Sequence, residues 1–195
     1  MTSSPSDTET TAHPLQAFAD MVAESVGGDA EILADTVKVS VKPEAWVETH
    51  SAARDELDFV FFSWLSAIDW TNDVEAGDPL GDEVVERIEL LTTVGDLIEG
   101  KRVTFSTSLD HENPVIDSLI DVYAGANWHE REAAEMFGID FRGHPDLSHI
   151  YLPDHFIGNP LRKSYPLLSR EVKPWPGTVD VEGMPDKPST ENPEA

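Results

Sequence analysis

Apolar positions along the chain recur at two spacings, and each stretch that keeps one spacing predicts an element. Leu15, Phe18, Ala19, Val22 and Val26 repeat every three or four residues, the period of a helix with one buried face, and Gly27-Gly28 supplies its stop. Pro14, just ahead, suits a helix start. Ile32, Val37, Val39 and Val41 form a short β-branched region that alternates around Lys38 and Ser40, after which Pro43-Glu44 opens a helix to about Glu56. Three further stretches read as strands of one sheet: 57–68 is apolar and aromatic, 84–91 is rich in β-formers, and 102–109 alternates Val103, Phe105 and Thr107 with polar neighbours. Val115, Leu119, Ile120 and Val122 predict a further helix over 114–123. Helices and strands mix without βα alternation, so the expected fold class is α+β, a single two-layer domain with a mixed β-sheet and flanking helices.

The pattern also marks the boundaries. Residues 1–13 are rich in Ser, Thr and Asp and offer little to bury, so they read as a disordered tail before a domain over 14–165. Prolines 166, 174 and 176 predict an extended docking arm over 166–181, and 182–195 reads as a second disordered tail. Residues 72–83, dense in Asp, Glu and Gly, read as an acidic surface loop. The start of the chain lacks a cationic, apolar leader, which predicts retention in the cytoplasm. The longest apolar stretch, 59–70, is broken by Ser63, Ser66 and Asp69 and falls short of the ~20 residues that span a bilayer.

Charge and composition narrow the chemistry. Against 13 basic residues stand 38 acidic ones, a net charge of -25, so nucleic acid is a poor partner. The acid excess otherwise suits solubility or a salty cytoplasm. The chain has no cysteine, which removes disulfides, thiol nucleophiles and the thiolate ligands of zinc and iron–sulfur sites. Gly77, Gly81, Gly95 and Gly100 are scattered through acidic loops and make no phosphate cradle.

Residues 127–138 read as a complete short helix. Asn127 can cap its start, Glu130 stands at the capping-box spacing, and Gly138 can close it in the left-handed conformation. Ala133, Met136 and Phe137 make its inward face, and Arg131 and Glu135, four apart, can pair on the other side. From within this helix onward, 131–173 holds six basic and six acidic residues, a neutral, aromatic, turn-rich strip on an acidic protein. Interface cores are depleted in charge and enriched in aromatic residues and Arg, so this strip is the expected docking surface. In it, the turn-forming run Gly158-Asn159-Pro160 is expected to present Arg162 and Lys163 to a partner.

Five of the seven histidines lie between His111 and His155. His129 and Glu132 share a helix face and with His144 or His149 offer nitrogen and oxygen ligands, which makes a stand-alone metal-dependent enzyme the class-level alternative. Position 133 is Ala, however, so the two-histidine zinc signature is absent, and Arg131 competes for the carboxylates. Glu130, Glu132 and Glu135 offer acid–base pairs, but no nucleophile motif accompanies them.

Three blocks carry a resemblance: Glu130-Arg131-Glu132-Ala133-Ala134-Glu135-Met136-Phe137-Gly138-Ile139, then Gly143-His144-Pro145-Asp146-Leu147, then Gly158-Asn159-Pro160-Leu161-Arg162-Lys163-Ser164-Tyr165-Pro166. In this order they closely resemble the C subunit of bacterial NADH:quinone oxidoreductase, the 30 kDa subunit family of respiratory complex I. The stretch 169–177 looks like its actinobacterial branch. In one place the chain departs from the pattern: the family usually carries Arg where His149 stands, often preceded by a second basic residue where this chain has Ser148.

The resemblance implies a small α+β subunit of a proton-translocating enzyme's cytoplasmic arm, peripheral to the cell membrane. It implies packing against the D-type and B-type subunits and other cytoplasmic-arm subunits, near the quinone site. FMN, iron–sulfur clusters and quinone are implied on other subunits, and no catalytic, cofactor-binding or metal residue in this chain. The family-motif and partner-docking positions it implies are Glu130, Arg131, Glu132, Glu135, Phe137, Gly138, Gly143, His144, Pro145, Gly158, Pro160, Leu161, Arg162 and Lys163. A C-type subunit of a membrane-bound hydrogenase or of another quinone-linked dehydrogenase is the alternative assembly.

Overall fold

Helix α1 (Gln16–Val26) buries Ala19 and Val22 and ends where Gly27 takes φ 68°, its amide bonding the Ala23 carbonyl. It belongs to a computed structural model that describes residues 13–71 and 84–166. The acidic loop 72–83, residues 1–12 of the N-terminal tail, and the arm and tail expected beyond residue 166 lie outside the described residues. After α1 the chain forms β1 (Asp29–Leu33) and β2 (Thr36–Ser40), an antiparallel hairpin. The β-branched region predicted there therefore extends into two strands. The turn between them lacks Gly or Asn, and Ala34 takes the left-handed φ of 54° instead.

A 3-10 turn at Pro43–Ala45 leads into α2 (Trp46–Asp55), and the long apolar run becomes β3 (Phe61–Asp69). Strands β4 (Ile88–Gly95) and β5 (Arg102–Leu109) complete a sheet ordered β1-β2-β5-β4-β3. Only the β2–β5 pair is parallel, which makes the sheet mixed, and β3 carries a register shift between Phe62 and Trp64.

Strand alternation sorts the two faces of this sheet. Val37, Val39, Leu65, Leu90, Val94, Val103 and Phe105 project to one side and join Ala19, Val22, Trp46, Ala53, Ala133 and Phe137 of the helices in one core. The opposite side is mixed, with Thr93 on Thr104 at 2.7 Å and the Lys38 ammonium on Glu89 at 2.6 Å beside the exposed Trp64 and Ile68 of β3.

The helix expected over 114–123 is not formed. Val115–Asp117 is strand β6, paired in parallel with β7 (Asp140–Arg142), and the residues after it make turns in which Val122 and Tyr123 donate to the Leu119 carbonyl. The helical spacing of Leu119, Ile120 and Val122 was misleading because β6 finds its partner strand well downstream, across α3 (Ala126–Phe137). That pairing buries Ile116 against Phe141, a contact no local pattern reveals.

Candidate functional site

The three sequence blocks meet around α3. The helix begins at Ala126, with Gly125 as its N-cap and no side-chain cap bond, so the capping box expected from Asn127 and Glu130 is absent. Glu130 is instead fully buried and turned back to the 118–119 turn. Its Oε1 accepts the Leu119 amide at 2.6 Å and its Oε2 accepts the Ser118 hydroxyl at 2.5 Å. Burial pushes its pKa up to about 7, against the opposing pull of those two bonds.

Arg131 and Glu135 do not pair with each other either. Both reach across to the loop after β7. The Arg131 guanidinium donates to the Ser148 carbonyl at 2.9 Å and its hydroxyl at 2.8 Å while lying 5.1 Å over the Trp128 ring. The Glu135 carboxylate accepts three successive amides, Ile150 at 2.9 Å, Tyr151 at 3.2 Å and Leu152 at 2.5 Å. Burial raises its pKa, but the three amides outweigh that and hold it below the usual carboxylate range. His144 fixes the start of the same loop, its Nε2 3.3 Å from the Asn127 carbonyl and its Nδ1 accepting the Asp146 amide at 3.1 Å. Gly143 and Pro145 flank it in the turn, and Glu132 sits half-buried on α3.

The last block closes the end of α3. Phe137 is buried in the core and Gly138 takes φ 72° with its amide on the Ala134 carbonyl, as the sequence predicts. The remaining C-terminal carbonyls receive donors from the third block. Asn159 bonds Glu135 at 3.0 Å, the Leu161 amide bonds Met136 at 3.1 Å, and Arg162 Nε bonds Phe137 at 2.7 Å. Arg162 Nη1 also donates to the His111 carbonyl at 2.8 Å, so its guanidinium is engaged inside the chain rather than presented outward as expected. The Lys163 amide donates to Asp69 at the end of β3, 2.9 Å away, and its ammonium lies 3.4 Å from the Thr71 carbonyl. Gly158, at φ 105°, leaves room for Tyr165, whose ring lies 2.7 Å from where a Cβ would stand, and Pro160 is half-buried beside it.

Residues 143–166 thus form a strap bound to α3 along its length. Ser148 takes part in that binding, Asp69 of β3 holds the strap's far end and Ser118 holds Glu130 of α3, and no such role is legible for them in the sequence, since each acts through a partner distant in the chain. The histidines are separated. His129 packs on Phe62 with ring centroids 5.6 Å apart, and His149 Nδ1 lies 3.4 Å from the Pro153 carbonyl. Among the described residues no three His, Asp or Glu side chains converge as metal ligands.

Comparison with known proteins agrees with this geometry. The family model of the respiratory-chain NADH dehydrogenase 30 kDa subunit matches residues 39–171. The chain belongs to this 30 kDa subunit family. It is 36% identical over 151 residues to the C subunit of the NADH-quinone oxidoreductase of Roseiflexus sp. (strain RS-1), covering 76% of this chain and 80% of that one. A Chromohalobacter salexigens protein, named as a joint C/D subunit of NADH-quinone oxidoreductase, is 43% identical over 82 residues, 42% of this chain and 14% of that one. A solved trypsin-resistant fragment (1-134) of Nqo5 shares the fold at a TM-score of 0.53 and 22% identity, covering 68% of this chain and 98% of the fragment. In this member of the 30 kDa family the matched region takes in the sheet from β2 onward and the whole α3–strap unit.

Proposed function

We propose that this chain is a non-redox scaffold subunit of a proton-translocating NADH:quinone oxidoreductase, docking on the D-type subunit near the quinone site through the strap on α3. The supporting observation is how the strap divides its groups. Arg131 and Glu135 of α3 and Arg162 of the strap bond within the chain, while Trp128 of α3 and Tyr151, Ile157 and Leu161 of the strap stand exposed beside those bonds. Rigid aromatic and aliphatic anchors whose polar neighbours are already satisfied lose little on desolvation, as an interface core requires. The relative named as a joint C/D subunit supports a C–D contact, because that name joins the two in one protein.

In this reading FMN, iron–sulfur clusters and quinone belong to other subunits, the B-type subunit is a further neighbour, and membrane attachment comes through partners. No helix among the described residues is long and apolar enough to cross a membrane. The test is to tag the full chain, purify it from membranes, assay NADH:quinone activity and identify what accompanies it. The D-type subunit is expected in equal amount, and Tyr151→Asp with Leu161→Asp is expected to reduce it at least tenfold while the chain alone melts unchanged. An assembly lacking the D-type subunit, or one unaffected by the double variant, overturns the proposal.

A further inference from the structure

The strap anchors at one end of β3, where Asp69 accepts the Lys163 amide. At the other end of β3 lies a groove of about 540 Å³ lined by Phe18 and Met21 of α1, Leu57 and Val60 before β3, and Leu97 and Ile98 of the β4–β5 turn. Ile98 is 94% exposed, Leu97 68% and Val60 56%. Two local devices hold these side chains out. Asp96 accepts the Ile98 amide at 2.7 Å and the Glu99 amide at 2.8 Å, which fixes the tip of the turn. Asp58 takes a left-handed φ of 58° and accepts the Val60 amide at 2.9 Å, so Phe59 turns into the core and Val60 turns outward. A fixed backbone presenting aliphatic side chains beside an apolar groove has no role in this fold and marks an interaction site.

The rim selects the occupant. Asp58, Asp96 and Glu99 face a single cation, Lys101, whose ammonium is bound to Glu99 at 2.5 Å. Residues 1–12 contain no Val, Leu, Ile, Phe or Trp to fill the groove, and a second copy brings the same acidic rim and a net charge of -25. Resting on the scaffold reading above, we propose that the groove is a second docking site, for a segment of another subunit that presents aliphatic side chains flanked by Lys or Arg.

A photo-crosslinking p-benzoylphenylalanine placed at position 98 of the full tagged chain, irradiated in the purified membrane assembly, tests this. Mass spectrometry is expected to find the crosslink on another subunit, within a segment that carries aliphatic residues and at least one Lys or Arg. A crosslink to this chain's residues 167–195, to a second copy, or to nothing overturns the proposal. Ile98→Asp with Met21→Asp is expected to lower recovery of the crosslinked partner at least tenfold with the chain's own melting unchanged, while Ile98→Leu retains it. Full recovery with the double variant also overturns it. The NADH:quinone activity of the same preparation tests the scaffold reading separately, since its absence leaves the crosslink result standing.

Discussion

Two buried ionisable side chains oppose each other across the same pH range. Burial lowers the His50 pKa from its ordinary 6.5 to about 4, against the opposing bond from its ring to the Trp46 carbonyl, so its neutral form contributes stability above pH 6.5 that is lost as the pH falls through 4. Glu130 behaves in reverse. Its folded pKa of about 7 lies above the ordinary 4.5, so its contribution is complete below pH 4.5 and is lost as the pH rises through 7. Each shift corresponds to about 3 kcal/mol. Between pH 4.5 and 6.5 the two slopes largely cancel, and each single variant should unmask the other. Glu130→Gln is expected to lose stability as pH falls through this window, and His50→Phe is expected to gain it. Urea unfolding at pH 4.5, 5.5 and 6.5 measures both, and parallel curves for wild type and variants contradict the argument.

At the scale of elements, α3 works as a peg for the strap. Its Glu135 carboxylate accepts three amides from 150–152, and charged hydrogen bonds of this kind contribute about 1.5–3 kcal/mol each before competition from water. Glu135→Ala is therefore expected to cost about 2 kcal/mol and to abolish hydrogen-exchange protection at Ile150 and Leu152 while the β4 and β5 amides stay protected. Uniform loss of protection would show that strap and sheet unfold as one unit. Gly138→Ala should act at the other end of the peg. It strains the φ of 72° and brings a Cβ within 2.7 Å of the Asn159 side chain, so a cost of about 1–2 kcal/mol and a weakened third block are expected in thermal melting.

For the molecule as a whole, the net charge of -25 is a destabilising self-repulsion that salt can screen. The isolated chain is expected to melt several degrees higher in about 0.5 M KCl than in about 0.02 M KCl. A melting temperature that falls with salt would mean that ion pairs such as Lys38 with Glu89 outweigh the repulsion. The same acidity favours partners that are apolar or basic where they meet this chain. Both proposed docking surfaces fit this condition, since one is neutral and aromatic and the other is an apolar groove with an acidic rim.

The sequence by itself determined the features that depend on neighbouring residues. Helix α1 with its Gly27 stop, the alternation of β5, the α+β class and the Gly138 end of α3 all follow from spacing, because period and left-handed glycine are local properties. The three blocks around α3 likewise carried the family. Tertiary structure decided whatever depends on a distant partner. Asn127 and Glu130 have the spacing of a cap, yet burial against the 118–119 turn gives Glu130 a stronger set of donors. Arg131 and Glu135 have the spacing of an ion pair, yet an exposed pair contributes under about 1 kcal/mol, and the carbonyls and amides of the strap offer more. Val115, Leu119, Ile120 and Val122 have a helical spacing, yet the chain at Val115–Asp117 pairs with β7 and buries Ile116. In each case the local option was weak and the distant one supplied more partners or deeper burial, which is why only the folded chain shows it.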